Sequence, residues 1–520
     1  RKARGLETVL AQLNDKEKAP SYRVLASNVL YQCIDGNSES GDYVCELGIL
    51  PGLCQMLHTL HENIHKHEKR VMEKADDGDS DDMMEEKEGG DPLESVECGV
   101  RILMTCATSN EKNRNQILSQ NVVLPLLALT KSSIVSIVLV STQCLVNLLD
   151  GSSSTQQVLV DNDGISTLLA LLQRFDENTN LTIVRCAAKA LYVAIEKHSE
   201  AQLMARDVGC VERISIILKT TSLDELRMDM NKLIAVATDS CEENQNEILH
   251  LDTLKSIVVC CAHSFGTSES RAAAAWAYGC AVEKHVALKL DGCRIGAPTT
   301  LVELISEGLA EERASAAIGL SKAMEDDLLS KDLTLKSNGM YELIRLLKAD
   351  SENERCAATV ALLNLCRNNN HCVQKFRNAN GLEPLVDMLN VKERSVRERI
   401  ACVKCLTVLI IGSVENKEKI SAYGGVPALV QILLHGETEN CVQFALIYIT
   451  RWAFVRDGQD ELREEKQGII PRIVELVKST NELTQRTACH CAYQISKGNL
   501  ENQSLLIQGG IVPLLVSMVR

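Results

Sequence analysis

The stretch from Gly339 to Gly381 starts again almost as soon as it ends. It reads GMYELIRLLKADSENERCAATVALLNLCRNNNHCVQKFRNANG. A glycine followed by a short apolar run then returns as Gly381 with LEPLVDMLN, Gly424-Gly425 with VPALVQILL, Gly468 with IIPRIVELV, and Gly509-Gly510 with IVPLLVSMV. The starts lie 42, 43, 44 and 42 residues apart. Self-similarity at a fixed period near that length means stacked units, each too small to bury its own apolar face and each completed by its neighbours.

The unit can be read from its residues. Pro384, Pro427, Pro471 and Pro513 stand near the start of the apolar run. Proline fits a helix's first turn, where its missing N–H would have no partner anyway. A polar break, Lys348 to Asn353, precedes a longer helix of small and apolar residues, Cys356-Ala357-Ala358-Thr359-Val360-Ala361-Leu362-Leu363. Small residues there let helix backbones approach closely. Asn368-Asn369-Asn370 breaks this helix, and His371 to Asn378 suits a third, short one. The closing glycine is expected to supply the left-handed residue that ends it.

Such a unit resembles the armadillo repeat, whose consensus reads like GGIPPLVQLL followed by a helix of AAWALSNLA type. The recurring glycine-proline junction and the third helix match it better than its two-helix HEAT relative. The resemblance covers essentially the whole chain and implies an all-α, right-handed superhelical solenoid of three-helix repeats. The first repeat spans about 5–48, with Leu25 to Cys33 as its long helix and Gly48-Ile49-Leu50-Pro51 as its junction. Further boundaries at Asn121, Gly164, Gly209, Asp252, Gly296 and Gly339 make residues 1–520 a single solenoid of about eleven repeats and the start of a twelfth. Asn121 and Asp252 can replace glycine because both tolerate left-handed geometry. The chain has no initiating Met and stops after the opening helix of a repeat, Ile511 to Arg520, so a piece of a longer protein is expected.

Composition agrees. A single globular core of 520 residues would normally split into domains, whereas a solenoid grows in one dimension without that limit. No apolar run reaches the roughly 18 residues of a membrane span, so no membrane insertion is expected. The 21 cysteines sit mostly at small core positions such as Cys186, Cys356, Cys402 and Cys489, where a free thiol acts as a small hydrophobe. Cys402-x-x-Cys405 and Cys489-x-Cys491 have no companion pair at zinc spacing. That usage points to a reducing, cytoplasmic location, compatible with cytoskeletal or nuclear association.

The second repeat, 49–121, is too long, and its excess runs from Lys69 to Pro92 (69–92). Glu73 to Asp91 carries ten acidic and two basic residues, a net of −8 within a chain total of −15. Too polar to bury surface that would offset ordering, it reads as a disordered acidic insertion. Asp77, Asp79, Asp81 and Glu88 fit positions of a calcium loop, but Asp82 stands where that loop needs glycine. His58, His61, His65 and His67 precede it at helical spacing, without a Cys or acidic ligand paired to them.

No phosphate-binding GxxxxGK[ST], HExxH, GxSxG or dinucleotide fingerprint occurs, so neither catalysis nor a cofactor is expected. In armadillo proteins the long helices line a concave groove, and the resemblance implies an extended or helical protein partner lying along it. The groove asparagine position reads Gln32, Thr105, Asn147, Val193, Ala235, Cys280, Lys322, Asn364, Val408, Arg451 and Gln494. Only Asn147 and Asn364 keep it. Trp276 is the only tryptophan in the register of the nuclear-import adaptors, and its asparagine partner is replaced by Cys280, which argues against a localisation-signal receptor. The expected groove residues are Asn147, Trp276, Cys280, Lys322, Asn364, Arg451 and Trp452, with Arg451 and Trp452 sharing one partner side chain. A net charge of −15 favours a basic or mixed polypeptide over nucleic acid or anionic membrane. A local cluster, Arg394, Arg397, Arg399 and Lys404, reads as a solvated face able to meet an acidic segment. The expected role is a scaffold or adaptor in a cytoskeletal, ciliary or junctional assembly; the alternative is a chaperone-like regulator of a GTPase or motor client.

Overall fold

A computed structural model describes residues 92–109, 111–174, 176–390, 394–436, 438–454, 456–464 and 469–519, together with Asp42, Cys45, Leu50, Leu53, Cys54 and Leu57. The long helix of the first repeat, the acidic segment 69–91 with its calcium-loop residues, and the histidines from His58 to His67 lie outside the described residues.

Among the described residues every regular element is a helix. They fall into two compact units, Arg1–Thr253 and Leu254–Arg520. The long helices of the first are α1 (Pro92–Ser109), α2 (Val135–Leu149), α3 (Glu177–Ile195) and α4 (Asp224–Thr238). Those of the second are α5 (Ser268–Val282), α6 (Ala310–Met324), α7 (Glu352–Cys366), α8 (Val396–Leu409), α9 (Glu439–Trp452) and α10 (Glu482–Ser496). Within each unit, every long helix packs on the next long helix and on short helices of its own repeat. Each unit is therefore an all-helical solenoid.

The turns follow from local chemistry. Ser351 precedes α7, whose first turn carries Glu352 and Glu354, where carboxylates favour the positive end of the helix dipole. After α7, Asn368 turns left-handed (φ 55°), and the Asn369 side chain accepts from the Cys372 N–H at 3.1 Å to start the helix Asn370–Asn378. The same pairing of a left-handed residue with a capping side chain recurs at Gly151-Ser152, Asp326-Asp327, Gly412-Ser413 and Gly498-Asn499. Polar breaks in the sequence are thus caps.

One expectation needs correction. At Gly424 the boundary glycine is itself left-handed (φ 79°), and Asn121 and Asp252 take that geometry as expected (φ 55° and 52°). At the 164, 339 and 381 boundaries, however, the residue before the glycine is left-handed (Asp163 φ 54°, Asn338 φ 61°, Asn380 φ 56°), and at the last of these Gly381 serves space instead. A Cβ there would stand 2.3 Å from the Phe376 ring.

Two features lock neighbouring repeats of the second unit. Between α5 and α6 the backbones nearly touch, since a Cβ on Gly279 would lie 2.9 Å from the Gly319 Cα. A ladder of buried ion pairs then joins each long helix to the start of the next: Arg271–Glu312 at 2.5 Å, Arg313–Glu354 at 2.6 Å and Arg355–Glu398 at 2.6 Å. It stops at α8. Cys441 stands where the next glutamate would be, and the Arg399 guanidinium donates to the Arg394 carbonyl at 2.6 Å.

Candidate functional site

With its flanks against other long helices and its back on short ones, a long helix keeps one face for solvent. At 3.6 residues per turn that face repeats every three or four positions. On α7 it contains Asn353, Val360 (42% exposed) and Asn364. On α8 it contains Arg397, Lys404 and Val408; on α9, Phe444, Ile447 and Arg451.

The expected groove residues divide on this face. In the first unit, Asn147 on α2 is half-buried and makes no hydrogen bond among the described residues. In the second unit Trp276 is half-buried on α5. Cys280 is 1% exposed because Lys322 lies over it: the ammonium approaches the Cys280 Sγ at 3.5 Å and pairs with Glu283 at 2.8 Å. Asn364, 8% exposed, spends its amide N–H groups on α6, donating to the Ser321 carbonyl at 3.1 Å and the Ser321 Oγ at 3.0 Å. Its role in the fold is a brace between repeats. Arg451 is exposed, with only a long contact of 3.5 Å to the Thr407 carbonyl.

Trp452 is a correction. It is 2% exposed, stacks on Tyr448 at 5.7 Å, and donates its Nε1–H to the Glu461 carboxylate at 2.9 Å. One residue along a helix is a rotation of about 100°, which carries Trp452 from the outward row into the core. Arg451 and Trp452 therefore cannot present a shared surface. The cation over the Trp452 ring is an internal one, Lys417, at 5.8 Å, whose pKa burial lowers.

The outward residues that sequence reasoning did not place in the site are Lys404, Phe444, Ile447 and His490. The Lys404 ammonium sits 4.3 Å from the Phe444 ring centroid, across the α8–α9 boundary. Lys404 and Arg451 are exposed and have no carboxylate partner among the described residues. Of the sequence cluster, Arg394 and Arg399 are instead occupied internally, Arg394 with Glu398 at 3.4 Å and Arg399 with the Arg394 carbonyl. The signal for Lys404, Ile447 and His490 was the position four before the expected one in α8, α9 and α10.

Cys402, Cys405 and Cys491 offer little reactivity. The described cysteines are free, and burial pushes Cys402 and Cys405 well above the usual thiol range and Cys491 to about 12. Thiolate, not thiol, is the nucleophile and metal ligand. Among the described residues no three His, Cys, Asp or Glu side chains gather at metal-binding distance. No described helix is long and apolar enough to cross a membrane.

No family model matches the sequence, and no curated protein matches it. By structure, 450 solved chains match, so the fold is too common to name a function. One is the crystal structure of an engineered protein from the Northeast Structural Genomics Consortium. It is 20% identical with a TM-score of 0.61, and the match covers 77% of this chain and 95% of that one. At that identity the likeness shows the fold alone. It is that of a helical repeat.

Proposed function

We propose that this chain is a non-catalytic scaffold or adaptor of armadillo type that holds an extended or helical segment of a protein partner along the open face of its long helices. One observation carries the reading. Residues on successive long helices leave apolar groups half-exposed or exposed (Val360 on α7, Val408 on α8, Phe444 and Ile447 on α9), although each helix is otherwise closely packed. Exposed apolar groups rimmed by polar ones mark interaction sites more often than scattered single residues do, and a solenoid repeats them along one line. The armadillo assignment rests on the recurring glycine-proline junction and the three-helix unit.

The test uses a photo-crosslinking amino acid at Val360 or Ile447, compared with one at Val414, which is 66% exposed on a short helix of the same unit. A discrete adduct from the first two positions and none from the third supports the open face. Equal labelling from all three sinks it.

A further inference from the structure

The whole chain is acidic, but the open face of α8–α10 is not. Lys404 on α8 and Arg451 on α9 lie there exposed, with His490 of α10 in the same row, and neither cation has a carboxylate partner among the described residues. Elsewhere in the same unit, arginines are paired: Arg271 with Glu312, Arg313 with Glu354, Arg355 with Glu398 and Arg377 with Glu415. A protein of net charge −15 that leaves these cations unneutralised keeps a local field opposite to its own average. Between them lie the half-buried Phe444 and Ile447, and the Lys404 ammonium already rests on the Phe444 ring at 4.3 Å.

Resting on the scaffold reading above, we propose that this stretch takes an acidic extended peptide whose carboxylates alternate with apolar residues. Charge complementarity selects the sign, since a carboxylate meeting Lys404 or Arg451 gains an ion pair without displacing an existing one. The apolar residues fill the spaces over Phe444 and Ile447. Spacing follows from general geometry: packed helices lie about 8–10 Å apart and an extended chain advances about 3.3 Å per residue, so one carboxylate in about three meets each successive long helix.

The probe is a fluorescein-labelled peptide with a glutamate at every third position and valine or leucine between, read by anisotropy against the full chain. Controls are the same peptide with lysine for glutamate, and a single-stranded DNA oligonucleotide. The glutamate peptide should bind the wild type more tightly than either, and more weakly as salt rises. Lys404→Glu and Arg451→Glu together should weaken it about tenfold or more and improve the lysine peptide, with the melting temperature unchanged. The milder pair Lys404→Gln and Arg451→Gln covers a charge-reversed protein that fails to fold, and should weaken the glutamate peptide in the same direction. Unchanged affinity in a folded variant overturns the proposal, and so does DNA binding as tight as the glutamate peptide. Tighter binding of the lysine peptide, lost on Ile447→Ala, would overturn the acidic assignment and leave the open-face reading standing. If no peptide responds to any open-face variant, both readings fall.

Discussion

At the scale of single residues, the polar groups that look most like ligand contacts are largely occupied by the fold. Asn364 joins α7 to α6 through Ser321. Replacing it with alanine strands buried polar atoms of α6, so Asn364→Ala should cost about 1–3 kcal/mol in denaturant unfolding without weakening partner capture. Glu398 makes a second, pH-dependent case. Burial pushes its carboxyl up, but the hydrogen bonds from Arg355 and the Ser395 N–H, with the nearby Arg355 and Arg394 charges, outweigh that and hold it below its ordinary 4.5. A carboxyl whose pKa falls on folding adds stability that is present above its unfolded value and lost as pH drops through the folded one. Unfolding followed from pH 7 downward should therefore weaken below about pH 4.5. Glu398→Gln should flatten that acid limb and cost about 3 kcal/mol at neutral pH, because Arg355 is left buried without its charge partner. An acid limb identical to the wild type's would mean the pair does not titrate with folding.

At the scale of helices, period and breaks were legible and contacts were not. The polar breaks and the third short helix predicted from His371 to Asn378 match the observed Asn370–Asn378, because capping is local chemistry that a sequence displays. The fate of each boundary glycine was hidden. At 381 it is Asn380 that turns left-handed, while the Phe376 ring leaves Gly381 no room for a Cβ, a contact that spacing cannot reveal. Gly381→Ala should therefore cost about 1–3 kcal/mol through crowding, whereas Asn380→Gly should be close to neutral. Equal melting of wild type and Gly381→Ala would contradict this. Trp452 was misplaced for a related reason, since adjacency to Arg451 in sequence is a large rotation around a helix. The ion-pair ladder from Arg271 to Glu398 was equally invisible, being a relation between residues about one repeat apart.

At the scale of the whole chain, net charge proved a poor guide to the charge of a face. More than half of the −15 resides in residues 73–91, while the outward row of α8 and α9 carries the exposed cations Lys404 and Arg451. Deleting 73–91 is expected to leave helicity intact and stability within about 1 kcal/mol, since lengthening or shortening a surface loop has a small entropic effect. A large loss of helicity by circular dichroism would show that the acidic run is packed. The central claim, that a partner lies on the open face of the long helices, is tested most directly by measuring melting temperature and partner capture on the same samples of Lys404→Glu/Arg451→Glu and of Asn364→Ala. The account predicts that the charge-reversed protein melts like the wild type and loses its partner, while Asn364→Ala melts lower and keeps it. Capture undiminished by charge reversal, in a protein that melts like the wild type, would contradict it.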